Sequence, residues 1–177
     1  MWQISLSGTG GQGLILAGII LAEAAILDGK EAIQTQSYGP EARGGASKSE
    51  VIISSETIDY PKVLSADLLL AMSQEACVKY INVLKKNGKL IIDTTYVKEL
   101  PSVDAQLLQL PITKAAREQL GNAMFANIIA LGALVGATSL VSEESLVAAV
   151  LHRVPKGTED INQKALQIGL DMGKCEA

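Results

Sequence analysis

The run Trp2-Gln3-Ile4-Ser5-Leu6-Ser7 is short and strand-like, and it leads straight into Gly8-Thr9-Gly10-Gly11-Gln12-Gly13 and then into an apolar stretch starting at Leu14. A strand, a tight glycine turn and a buried helix in that order constrain the fold more than anything else in the chain. Apolar Leu14, Ile15, Leu16, Ile19, Ile20, Leu21, Ile26 and Leu27 cover most of a helix spanning 13–28, so it is expected to lie deep beside a sheet. Glycines lack a Cβ, so backbone N–H groups in such a turn can approach an anion, and the positive end of the helix dipole favours it there. The same glycines also serve close strand-to-helix packing with no ligand, and both readings stay open.

The rest of the chain extends this unit. Strands are expected at 31–36, 47–54, 66–72, 89–94 and 105–110, with 57–60 as a short continuation before Pro61. Ala66-Asp67-Leu68-Leu69-Leu70-Ala71-Met72 and Lys89-Leu-Ile-Ile-Asp-Thr94 are continuous apolar runs, the pattern of strands covered on both faces. A helix is expected over 74–86, closed by Asn87-Gly88, and helices then dominate at 113–120, 122–139, 142–152 and 158–172. Alternation at this spacing predicts an α/β fold: a mainly parallel open sheet with helices on both faces, Rossmann-like, with extra C-terminal helices. With 177 residues and no internal repeat or linker, one domain spanning 1–177 is expected.

Composition narrows the function. The chain is 48% hydrophobic and 19% charged with a net charge of -4, which suits a folded soluble protein and supplies no basic surface for nucleic acid. Its two cysteines, Cys77 and Cys175, lie far apart, without the spacing of a zinc or iron–sulfur site. Cys77 is read as a packing residue and Cys175 as an exposed thiol. The first residues lack a basic start followed by a long apolar stretch, so a reducing cytoplasm is the expectation. The nearly apolar segment 123–141 is close to bilayer length, but Asn127, Gly132, Gly136, Thr138 and Ser139 interrupt it and no aromatic or basic anchors flank it closely. It is read as a buried or interface helix rather than a membrane span. His152, the only histidine, stands beside Arg153 near a helix end, where capping is favoured over catalysis, and no nucleophile–histidine–acid arrangement is suggested.

Gly8-x-Gly10-x-x-Gly13 matches the dinucleotide-binding fingerprint, whose ribose-binding acid should close the second strand about 20 residues on. Here that strand runs Glu31-Ala-Ile-Gln-Thr-Gln36, with the acid at its start and glutamine at its end. A nicotinamide dehydrogenase is disfavoured. The turn is left as structural, or as a contact for a phosphate-bearing ligand or a partner subunit. A second specified loop follows, Tyr38-Gly39-Pro40-Glu41-Ala42-Arg43-Gly44-Gly45, whose Arg43 either pairs locally with Glu41 or reaches a carboxylate or phosphate through its planar fork.

The two loops together are far more specific than either. A Gly-x-Gly-Gly-Gln-Gly turn, followed by Ser-Tyr-Gly-Pro-Glu-x-Arg-Gly-Gly and a strand ending Ser-x-Val-Ile-Ile-Ser, resembles the gamma subunit of 2-oxoacid:ferredoxin oxidoreductases of the pyruvate, 2-oxoglutarate and ketoisovalerate type. The resemblance covers most of the chain, including Ile58-Asp-Tyr-Pro61, the 66–71 strand and Leu131-Gly-Ala-Leu134. It implies a non-redox subunit of an enzyme that decarboxylates a 2-oxoacid oxidatively, 2-oxoglutarate slightly favoured, passes electrons to ferredoxin and yields an acyl-coenzyme A. Thiamine diphosphate, its magnesium ion and the iron–sulfur clusters would sit in partner subunits, with no catalytic or metal-binding residue in this chain. The implied tasks are to hold the catalytic subunits together and to accommodate coenzyme A. Candidate contacts for its phosphates, or for a partner, are Gly8, Gly10, Gly11, Gln12, Gly13, Tyr38, Glu41, Arg43, Gly44 and Gly45. The isolated chain is expected to be inactive and to dimerise through a partner surface. The competing reading is a stand-alone Rossmann-like nucleotide-binding enzyme.

Overall fold

Alternate residues of the central strands enter different cores, and this organises the molecule. The structure is a computed structural model and describes residues 1–38 and 45–175. A six-stranded sheet has the order β2-β3-β1-β4-β5-β6, with β1 at Trp2–Thr9, β2 at Glu31–Tyr38, β3 at Ala46–Ser54, β4 at Ala66–Ala71, β5 at Leu84–Asp93 and β6 at Ala105–Leu110. Strands β1, β4, β5 and β6 run parallel, and β3 is antiparallel to both β1 and β2. Ile4, Leu6, Val51, Ile53, Leu68, Leu70 and Ile91 face a large core containing α1 (Leu14–Leu27). Leu69, Ala71, Leu90 and Ile92 face a smaller one with Cys77 and Ile81. The continuous apolar runs are therefore strands buried on both faces, as their composition predicts.

One face of the sheet carries α1, α4 (Ala126–Thr138), α5 (Glu143–Arg153) and α6 (Glu159–Cys175), while α2 (Gln74–Tyr80) covers part of the other. The apolar segment predicted as a helix over 122–139 is a short 3₁₀ turn at Ala123–Phe125 followed by α4, which is buried along nearly its whole length. No helix among the described residues is long and apolar enough to cross a membrane. Helices α4 and α6 touch backbone to backbone: a Cβ added at Gly169 would lie 2.0 Å from the Ile129 carbonyl oxygen, and one at Gly132 would lie 2.4 Å from that of Leu166.

Two local expectations need correction. The helix predicted over 74–86 stops at Tyr80, a 3₁₀ turn spans Ile81–Val83, and the chain is already extended from Leu84. Asn87, with φ 59°, and Gly88 do mark a turn, but it is an irregularity within β5, which pairs Ala66 with Leu84 and then Leu68 with Lys89. Extended backbone lets Lys85 reach Asp67 at 2.7 Å and lets the Asn87 N–H donate to the Asp104 carbonyl at 2.9 Å. The strand predicted at 57–60 is irregular, because side chains take its backbone: the Ile58 N–H donates to Glu31 Oε2 at 3.0 Å.

Helix α5 is clasped to α1 at both of its ends. At one end the Ser142 N–H and hydroxyl donate to Asp28 at 2.7 and 2.6 Å, and at the other Glu23 takes both Arg153 and His152. His152 thus binds a carboxylate on a neighbouring helix instead of capping its own. Burial raises both carboxyls, but the hydrogen bonds from Arg153 and His152 outweigh it at Glu23, and those from Ser142 and Ser145 outweigh it at Asp28. Both end below the usual carboxylate range. A depressed folded value adds stability that is present above the unfolded value and is lost as pH falls through the folded one. Glu23→Gln is therefore expected to cost about 1 kcal/mol at neutral pH and nothing once the carboxyl is protonated. Urea unfolding at pH 7 and at successively lower pH checks this, since the two proteins should converge only once the pH has fallen through the folded value of Glu23.

Candidate functional site

Three strand ends meet where the chain switches direction across the sheet. From β1 the chain passes through α1 to β2 and β3 on one side, while β4 lies on the other, so the carboxyl end of β1 sits at a topological switch point, where open α/β sheets bind ligands. Gly8 ends up buried there and pairs with Ser47 of β3, which pairs in turn with Tyr38, the last residue of β2. The Gly10 N–H donates to the Gly45 carbonyl at 3.3 Å. The Gly45 end of the second sequence loop is thus brought against the glycine turn, with its Tyr38 end one strand further out, although the two loops are separate in the chain. Gly39, Pro40, Glu41, Ala42, Arg43 and Gly44 lie outside the described residues.

Within the turn each residue has its own task. Gly11 and Gly13 take φ values of 93° and 72°, left-handed geometry that favours glycine. A Cβ at Gly8 would fall 2.3 Å from Gln12 Oε1, whereas at Gly10 and Gly11 it would meet nothing within 4 Å. Gly10 and Gly11 are exposed, so the tip of the turn is open. No side chain caps the start of α1, and its first turn holds no acidic residue. Uncapped N–H groups beside an open glycine tip are suited to a phosphate or carboxylate.

Gln12, grouped with the glycines as a candidate contact, is used internally. Its Oε1 accepts the Thr9 N–H at 2.7 Å and its Nε2 donates to the Met72 carbonyl at 3.0 Å, so it fastens the turn to the end of β4. Gln12→Ala is expected to lose about 1–2 kcal/mol of stability and to loosen the turn. Faster hydrogen exchange at Thr9, with distant strands unchanged, would be the signature.

Residues not singled out as site candidates complete the surroundings. Buried Asn127 on α4 donates from Nδ2 to the Gly13 carbonyl at 3.3 Å and stands 2.5 Å from where a Gly13 Cβ would lie. An amide inside an otherwise apolar helix needs a polar partner, and that was its signal in the sequence. A cavity of about 220 Å³ opens beside the turn, lined by Gly11, Gln12, Tyr96, Asn122 and Met124 among others. Met124 at its rim is 76% exposed. Cys77 is fully buried, and burial pushes its thiol up, which fits a packing role. Cys175 is exposed. Among the described residues no three His, Cys, Asp or Glu side chains gather as a metal site.

The strand order also bears on the dinucleotide fingerprint. Because β3 lies between β1 and β2, the end of β2 is two strands from the glycine turn, so no residue at Gln36 stands where a ribose-binding acid would be needed. A different relationship emerges from comparison with known proteins. The family model described as pyruvate ferredoxin/flavodoxin oxidoreductase matches residues 3–172. The chain is 51% identical to the 2-oxoglutarate synthase subunit KorC of Methanocaldococcus jannaschii, over 97% of this chain and 94% of that protein. It is 32% identical to the pyruvate synthase subunit PorC of Methanothermobacter marburgensis, over 98% of each. The crystal structure of a keto/oxoacid ferredoxin oxidoreductase gamma subunit from Geobacter sulfurreducens superimposes with a TM-score of 0.90 at 49% identity, over 99% of both chains. Matched along nearly its full length in both sequence and backbone, the chain belongs to the pyruvate ferredoxin/flavodoxin oxidoreductase family, as a gamma subunit.

Proposed function

We propose that this chain is the gamma subunit of a 2-oxoglutarate:ferredoxin oxidoreductase, holding the catalytic subunits together and accommodating coenzyme A at its glycine turn. The observation that carries the substrate assignment is the 51% identity to a 2-oxoglutarate synthase subunit against 32% to a pyruvate synthase subunit, each over nearly the whole chain. In this reading thiamine diphosphate, magnesium and iron–sulfur clusters belong to partner subunits in the cytoplasm, and the chain itself is one gamma-type domain over 1–177. Coenzyme A would supply the thiol that takes up the acyl group, and its phosphates suit the open tip at Gly10 and Gly11 above the uncapped start of α1. Gly8 and Gly13 hold the turn tight, Gln12 and Asn127 fix its position, and the segment from Tyr38 to Gly45, with Glu41, Arg43 and Gly44, completes the contact to ligand or partner.

Purification of the tagged chain from its own cells, with assay of coenzyme A-dependent 2-oxoacid oxidation by a ferredoxin substitute, tests this. Co-purifying thiamine- and iron–sulfur-bearing subunits with highest kcat/KM on 2-oxoglutarate are expected. A chain that purifies alone, or a complex that prefers pyruvate, would overturn the respective part of the proposal.

A further inference from the structure

Beyond the glycine turn, the same edge of the sheet holds a second and larger cavity of about 620 Å³. It lies at the carboxyl ends of β5 and β6, where Thr94 and Thr95 follow one strand and Pro111 the other, leading into α3 (Ile112–Leu120). Its lining brings three cations together, Lys98, Lys114 and Arg117, against one carboxylate, Glu118. That concentration of positive charge is notable in a chain whose net charge is -4. Lys114 and Arg117 are three positions apart on α3, so they share a face.

The cations are only weakly satisfied by the protein. Glu118 reaches Lys114 at 3.9 Å, a long surface pair, and Lys98 donates to the Thr94 carbonyl. Arg117 has no carboxylate within ion-pair distance among the described residues; its Nη2 donates to the Tyr96 hydroxyl at 2.7 Å. The Thr95 hydroxyl oxygen accepts the Lys114 N–H at 3.0 Å, so its own proton is free to point outward. A planar guanidinium, two ammonium groups and a hydroxyl around a hollow of small-molecule size are the donors that a phosphate dianion takes. Tyr96 also lines the cavity beside Gly11 and Gln12, so the Tyr96–Arg117 pair is the wall between the two hollows.

We propose that Lys98, Lys114 and Arg117 form a subsite for a phosphate monoester dianion, separate from the glycine turn and set beside its cavity across the Tyr96–Arg117 pair. The dianion has two conceivable sources: the 3′-phosphate of coenzyme A, which rests on the function proposed above, or a distinct phosphorylated small molecule, which does not.

The first measurement needs neither source. The full chain is titrated with inorganic phosphate at constant ionic strength, followed by ³¹P NMR. Saturable binding is expected, weakened about fivefold or more by Arg117→Gln and by Lys98→Gln, and kept by Arg117→Lys. Binding that does not saturate, or that the neutral variants leave unmoved, overturns the subsite. The assembled oxidoreductase then separates the sources. If Arg117→Gln raises KM for coenzyme A about fivefold and leaves that for dephospho-coenzyme A unchanged, the 3′-phosphate is the occupant. If both KM values are unmoved while phosphate binding is still lost, the subsite stands and takes a different phosphate monoester.

Discussion

Gly169→Ala is expected to destabilise the protein by about 3 kcal/mol or more, or to prevent folding altogether. In an exposed helix the same change would gain about 1 kcal/mol, because alanine is the better helix former. Here the added methyl would lie 2.0 Å from the Ile129 carbonyl oxygen and 2.9 Å from the Ala133 nitrogen, and both are backbone atoms that no rotamer change can move. Relief requires the α4–α6 pair to separate, and α4 lies inside the main core beside Leu166 and Leu170. Chemical denaturation decides between the two signs, and an unchanged or raised midpoint would show that the helices do not cross this closely. Gly132→Ala, 2.4 Å from the Leu166 carbonyl oxygen, should behave similarly.

Asp93→Ala should cost about 3 kcal/mol. Asp93 is fully buried at the end of β5 and has no cationic partner within ion-pair distance among the described residues. Its carboxylate instead accepts the Thr113 hydroxyl, the Thr113 N–H at 3.1 Å and the Thr95 N–H at 3.0 Å. Alanine would leave those donors buried or half-buried without an acceptor, whereas Asn keeps one acceptor oxygen and should lose about half as much. Because Thr113 lies in the first turn of α3, the substitution should also loosen the helix that carries Lys114 and Arg117. Equilibrium unfolding of both variants, with exchange rates along α3, measures this. A loss equal for Ala and Asn would mean that packing, not hydrogen bonding, sets the cost.

The parts of the fold legible in the sequence are those fixed by neighbours in the chain. The turn at 8–13, the apolar helix after it and the doubly buried strands at Leu68–Leu70 and Leu90–Ile92 follow from local periodicity and glycine placement. What was not legible depends on distant partners. Lys85 and Lys86 suit a helix by propensity, yet backbone pairing with β4 and β6 on either side of them takes them into a strand. Nothing local places Ser-rich β3 between β1 and β2, since strand order is settled by pairing across the sheet. At the site, both loops were visible as motifs and their meeting was not. Gln12 looked like a ligand contact because a polar side chain in a glycine turn carries no sign of the Met72 carbonyl it will find.

That meeting depends on how far a hairpin reaches. Strands β2 and β3 pair without interruption from Glu31 with Ser54 to Tyr38 with Ser47, so the distance to which they extend past the sheet's other end is set by a count of residues. Each residue adds about 3.3 Å along a strand. Removing two facing pairs would preserve every inward and outward orientation, yet draw Gly45 back from Gly10 by about 7 Å. Evolution can therefore vary the outer sheet in composition more freely than in length: the hairpin is a ruler, and the register of Gly45 against Gly10 is the mark it must reach.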